Sequence, residues 1–182
     1  KEQLKMKSEL SLVNKKKGKK MKKIIAAIIL SIASTASFAD GHTSGKFNAS
    51  GMGAWEVNAM DAGQGDMAIT YDGIAGLTDE TPDSIFNKST MHCIGGLTLQ
   101  AGKFTDETGM CRFDLFDGES VYMKYVGKGS GGVGGTGTFE ITKGTGKYAK
   151  ITGTGVSSRQ NLKSKASGFS TSMNQMSGEY KY

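Results

Sequence analysis

Several signatures that would make a function easy to name are missing from this 182-residue chain. No Gly-x-Ser-x-Gly elbow occurs, so a hydrolase of that type is excluded. The acidic spacing of a calcium loop, Asp-x-Asp-x-Asp-Gly, is also absent. A phosphate-binding loop needs Gly-x-x-x-x-Gly-Lys followed by Ser or Thr. Here Gly146-Lys147 is followed by Tyr148, and Ile141 stands where the first glycine belongs. There is no long amphipathic helical pattern, which removes helical bundles and the helices of a dinucleotide-binding fold.

Clustered positive charge is missing too, once the chain is divided. Of the 23 basic residues ten lie in residues 1–39, and of the 17 acidic residues two do. The remainder holds 13 basic against 15 acidic residues, a net of −2, with lysines scattered along it. A nucleic-acid partner needs a basic stripe or patch, so none is expected.

The N-terminal part reads as a targeting region. Met21-Lys22-Lys23 is a short basic segment, Ile24 to Ile32 an apolar run too short to span a bilayer, and Ser37-Phe38-Ala39 a small-residue cleavage site. A secretory signal peptide is expected over residues 21–39, with an upstream translated leader or cloning remnant over residues 1–20. The domain is then residues 40–182, periplasmic or secreted, with no transmembrane segment left after cleavage. Both cysteines, Cys93 and Cys111, fall in this exported part. An even count in an oxidising compartment favours a disulfide between them, the alternative being two buried thiols.

What the chain has in abundance is glycine, 27 residues of it, set between short alternating runs. That pattern predicts an all-β domain. The clearest example is Gly134 to Gly155. Phe139 and Ile141 share one face of a strand and Thr138, Glu140 and Thr142 the other. Lys143-Gly144-Thr145-Gly146 has hairpin-turn chemistry, and Lys147 to Thr152 is expected to resume the strand. Further strands are expected at Lys46–Ala59, with a bend near Gly51 and Gly53, and at Asp66–Asp72, Ser89–Ile94, Leu97–Phe104, Met110–Phe116 and Val121–Val126. Gly168–Met173 and Gly178–Tyr182 are expected to close the sheet. Asp72 to Asn87 reads as a solvated acidic loop with a short helical turn at Pro82–Phe86, Thr105 to Gly109 as a polar hairpin loop, Gly127 to Gly135 as a flexible link, and Val156 to Lys165 as an exposed edge or loop. A last strand pairing with the first removes the open edges.

At Cys93-Ile94-Gly95, Gly109-Met110-Cys111, Phe116-Asp117-Gly118-Glu119 and Gly144 to Gly153, GTGKYAKITG, the chain resembles small secreted bacterial β-proteins of the allene-oxide-cyclase-like barrel class. The resemblance is best over Ser89 to Gly155. It implies a single antiparallel, roughly eight-stranded, calycin-like barrel with an apolar interior. It transfers no catalytic residue.

Chemistry is sparse. His92 and Cys93 are neighbours on a strand, point to opposite faces and form no dyad. Glu56, Asp114 and Glu140 sit on strands, where an outward, solvated carboxylate is expected. An apolar set, Trp55, Met67, Tyr71, Phe113, Met123 and Tyr125, is the candidate lining for a small apolar ligand, because an eight-stranded barrel either fills its lumen or holds one small molecule. If processing follows Ala39, the chain begins Asp40-Gly41-His42. Its amine, two amide nitrogens and an imidazole can hold Cu(II) in a square plane, an adventitious site, and no other cofactor is expected. Three roles remain open: an exported binding barrel, a cyclase-type enzyme that folds its substrate in the lumen, and a structural or envelope-interaction protein.

Overall fold

The computed structural model of the chain describes residues 43–81 and 83–182. Eight antiparallel strands follow one another: β1 (Ser44–Gly63), β2 (Asp66–Asp79), β3 (Ser89–Leu99), β4 (Lys103–Asp114), β5 (Ser120–Ser130), β6 (Gly134–Gly144), β7 (Thr152–Leu162) and β8 (Phe169–Lys181). Each pairs with the next, and β8 pairs with β1, so the sheet closes into a barrel with no free edge. Thr43 and Tyr182 exchange two backbone hydrogen bonds of 2.9 Å at the seam.

Alternation sorts the side chains. Along β1 the residues Phe47, Ala49 and Trp55 are buried while Lys46, Asn48 and Glu56 are exposed. The outward face carries Lys124–Glu140 between β5 and β6 (2.9 Å), Arg112–Asp114 on β4 (3.0 Å), and His92 of β3 against Asp72 of β2 (2.6 Å). The same face also exposes apolar side chains, among them Met52, Ile74, Ile94, Met110 and Met173. Glu56, Asp114 and Glu140 all lie on this outer side, and His92 turns away from Cys93.

One end of the barrel is packed shut. Phe86, from the segment after β2, is buried against Phe47, Phe113 and Tyr180, with ring centroids 4.5, 5.2 and 5.9 Å away. Leu115, Tyr148 and Ile151, from the two other connections at that end, are buried with it. Asp79 closes β2 and ties the first connection down. Its carboxylate accepts hydrogen bonds from the Ser84 hydroxyl (2.5 Å) and from the amides of Thr81 (2.8 Å) and Asn48 (3.0 Å). Burial raises this carboxyl, but the hydrogen bonds together outweigh burial and hold it below the usual range.

The strand boundaries differ from the expectation in instructive places. β2 runs on to Asp79, so the acidic loop is shorter than read and Asp79 is buried. Pro82 itself lies outside the described residues, and around it the chain makes turns rather than a helix. The expected Leu97–Phe104 strand instead contains a reversal. Ala101 and Gly102 take positive φ (48° and 78°), and Gln100 pairs with Lys103. The segment Thr105–Gly109, expected as a loop, is therefore inside β4. Lys147 does not resume a strand. Gly146–Tyr148 is a single 3-10 turn, because burying Tyr148 and Ile151 in the barrel end outweighs the local alternation. Gly127–Gly135 is no flexible link, since β5 and β6 occupy all of it except a three-residue turn. Val156–Leu162 belongs to β7. β1 and β8 are each continuous.

Candidate functional site

The other half of the lumen is not filled. Its interior positions on β5, β6 and β7 are mostly small: Gly127 and Gly129, Gly135 and Gly137, Gly155 and Ser157. Two cavities result. An inner one of about 70 Å³ lies against Trp55, Tyr71, Met123, Tyr125, Phe139 and the Cys93–Cys111 pair. An outer one of about 230 Å³ lies at the mouth, bounded by Trp55, Val57, Ile69, Leu97, Leu99 and Phe104, with Gly131 and Gly132 from the β5–β6 turn on its rim. Ile69, Leu97 and Leu99 are only half-buried, so solvent reaches this end.

A polar cluster stands between the two cavities. Tyr71 of β2 donates its hydroxyl proton to Glu107 Oε1 on β4 at 2.7 Å. The hydroxyls of Tyr71 and Tyr125, the latter on β5, are 2.5 Å apart. The single Tyr71 proton is already given to Glu107, so Tyr125 is the donor in this second bond. Arg159 of β7 donates from Nη1 to the same Glu107 oxygen at 2.7 Å. Its guanidinium packs over the rings of Tyr71 and Phe104, 5.9 and 6.0 Å from their centroids. The chain of donors therefore runs from Tyr125 to Tyr71 to Glu107, with Arg159 closing it from the opposite wall.

Glu107 is only 5% exposed, and its inward position has a definite cause. Phe104 and Glu107 are three residues apart, which in a regular strand puts them on opposite faces. The register with β5 slips between them: Phe104 pairs with Gly129 and Glu107 with Gly127, leaving Thr105 and Asp106 opposite one residue. This β-bulge turns both side chains inward. The carboxylate lies over Gly127, where any added Cβ would come within 2.6 Å of Oε2.

Burial sets the electrostatics of the cluster. It raises Tyr71 far above the ordinary phenol range, with Tyr125 and the Glu107 charge adding to the effect. Burial pushes Tyr125 up to about 12. For Arg159 burial works against the charge, but Glu107 outweighs it and keeps the guanidinium above its ordinary value. Both phenols are thus neutral at physiological pH, and the buried ion pair is hydrogen-bonded, as a buried pair must be. Beside it the Trp55 indole N–H donates to Ser172 Oγ at 2.8 Å.

The sequence-derived lining is only partly gathered here. Trp55, Tyr71, Met123 and Tyr125 meet around the inner cavity. Phe113 shares the inner face of β4 but lies in the closed end under Phe86. Met67 sits near the β1–β2 turn, 38% exposed, and lines neither cavity. Cys93 and Cys111 face each other directly across β3 and β4, with Cα atoms 4.1 Å apart, and are joined as a disulfide. Asp40, Gly41 and His42 lie outside the described residues. Glu107 and Arg159 were not among the expected site residues; the one available signal was a charged residue at an inward parity on β7. Among the described residues no group of three or more His, Cys, Asp or Glu side chains could hold a metal ion. No family model matches the sequence, and no curated protein shows significant similarity to it.

Proposed function

We propose that this is an exported β-barrel that binds one small, largely apolar molecule in the open half of its lumen, without covalent catalysis. The observation that carries the reading is the asymmetry of the interior. One end is filled by Phe86, Leu115, Tyr148 and Ile151, while the other keeps about 230 Å³ at its mouth beside a fixed polar cluster. Small-molecule sites have this character: mostly apolar walls with a few placed polar groups. A cavity of 150 Å³ accommodates benzene, so the mouth suits a molecule of one or two rings. The lumenal disulfide and the signal-like residues 21–39 support export. The likeness to allene-oxide-cyclase-like barrels supports the same architecture-level reading. The test is native mass spectrometry after incubation with a cell extract. The barrel is expected to carry a small adduct, and Ser170→Phe, which fills the mouth cavity, is expected to appear at its apo mass. An apo mass for both proteins counts against the reading.

A second reading, a cyclase-type enzyme, is favoured by one observation: an inward carboxylate, Glu107, bonded to a tyrosine hydroxyl beside the cavity. The released small molecule separates the two. A binder returns what it took up. An enzyme returns a rearranged isomer, and Glu107→Gln returns the original.

A further inference from the structure

The polar wall of the open lumen is specific about what it can still accept. Glu107 and Arg159 are the only charged side chains among the residues lining the two cavities. They pair with each other at 2.7 Å, so the site is electrically neutral before anything enters. The donors of the aromatic side chains are spent. The Tyr71 proton goes to Glu107, that of Tyr125 to Tyr71, and the Trp55 indole N–H to Ser172. Arg159 is the exception within the cluster, while Ser130, Asn161 and Ser170 add neutral polar side chains around the mouth. A guanidinium carries five N–H donors, and the side chains that engage those of Arg159 are Glu107, at 2.7 Å, and Tyr71. No buried side-chain nitrogen or oxygen among the described residues lacks a partner, so the remaining Arg159 donors keep accessible surface, and the residue lines both cavities.

From this balance we infer that the molecule held in the lumen is neutral and carries an acceptor oxygen, a ketone, ester or amide carbonyl, which takes a hydrogen bond from Arg159. The inference rests on the lumen-binding reading above and deepens it. A carbonyl uses a donor that the protein leaves unspent and adds no charge. A carboxylate of the same size uses the same donor but brings a negative charge beside Glu107, in a site whose only cation is already committed. An unpaired charge in a low-dielectric interior is unfavourable. The aromatic and aliphatic wall of Trp55, Val57, Ile69, Leu97, Leu99 and Phe104 takes the rest of the molecule.

Two probes of nine non-hydrogen atoms each test this, acetophenone and benzoate at pH 7.4. The readout is the indole N–H resonance of Trp55, the only tryptophan in the chain and a wall of both cavities. Wild-type protein is expected to bind acetophenone at least 10-fold more tightly than benzoate. Glu107→Gln keeps an acceptor for Tyr71 but leaves the Arg159 charge uncompensated, and is expected to reverse the order. Benzoate binding to wild type as tightly as acetophenone overturns the inference while leaving the lumen-binding reading in place. So does a Glu107→Gln protein that keeps the wild-type preference. Failure of both probes to move the Trp55 signal overturns the lumen-binding reading itself, and the inference with it. Should Glu107→Gln not fold, the wild-type ranking alone decides.

Discussion

Gly95 of β3 and Gly109 of β4 stand directly opposite one another, and the space left by their missing side chains holds the two tyrosine hydroxyls. A Cβ built on Gly95 would lie 2.3 Å from the Tyr125 hydroxyl oxygen and 2.6 Å from that of Tyr71. One built on Gly109 would lie 2.3 Å from the Tyr125 oxygen and 2.5 Å from the Ile94 carbonyl oxygen. Real Cβ contacts do not approach so closely. The glycine pair is a notch for the hydroxyl pair, two register positions from the disulfide.

Filling the notch is therefore expected to break the Tyr125–Tyr71–Glu107 chain. Gly95→Ala is expected to cost about 1–3 kcal/mol, the usual range for overpacking an interior, read as a lower urea midpoint with an unchanged slope. Gly109→Ala, which also meets backbone, is expected to cost more. Equal stability of Gly95→Ala and wild type would show that the tyrosines move aside freely.

The buried phenols set an alkaline limit. Tyr125 is pushed up to about 12 by burial, and Tyr148 to about 12 by burial and its hydrogen bond to Asp117. In the unfolded chain a tyrosine ionises near 10. A folded value raised above the unfolded one means the contribution is intact below about pH 10 and is lost as pH climbs toward 12. Denaturant midpoints are expected to hold steady up to about pH 10 and fall beyond it. Tyr125→Phe should fall less steeply over that window. A flat profile through pH 12 would contradict the burial of these hydroxyls.

The Cys93–Cys111 bridge closes a segment with a sequence separation of 18. Chain-entropy reasoning assigns such a cross-link about 3 kcal/mol, mostly through the unfolded state. Alkylation and intact mass of protein taken from an oxidising compartment should find no free thiol. Cys93→Ser with Cys111→Ser should unfold at a clearly lower urea concentration. Recovery of two alkylatable thiols would refute the bridge.

Copper is a separate proposal, independent of the barrel. Protein beginning at Asp40 is expected to bind one Cu(II) with the visible band of a square-planar four-nitrogen site. His42→Ala, or retention of any residue before Asp40, should abolish it. Equal uptake by processed and unprocessed protein would place the copper elsewhere.

How far the sequence could be read depends on which physical signal each element carries. Alternation located strands where one face is apolar, as along Phe139 and Ile141 or Val121 and Met123, and the all-β class followed from that, while the eight-stranded barrel was what the family resemblance implied. The Asp117-Gly118 turn was legible because its glycine takes positive φ (88°). The β3–β4 turn was not, because Ala101 occupies a left-handed position where glycine or asparagine is the usual marker. Once that turn was misplaced, Cys93 could not be set opposite Cys111, and the bulge at Thr105–Asp106 looked like a loop. Glu107 was hidden for this reason. Arg159 was hidden for another: β7 points Gly153, Gly155, Ser157, Arg159 and Asn161 inward, and an inward face made of small and polar residues has no hydrophobic period to detect. The lumen is readable where it is packed and unreadable where it is hollow.

The pairing of β8 with both β7 and β1 has a consequence for how the protein is made. Until β8 has been synthesised, β1 and β7 are two unsatisfied edges far apart in the chain, and neither can be covered by any earlier segment. The fold therefore offers no stable halfway stage in which the first strands are complete. Seven of the eight pairings join neighbours in sequence, and closure waits on the one contact that spans the whole domain, β8 against β1. Before that contact forms, the chain is an open sheet with two unpaired edges, each able to add a strand from another molecule.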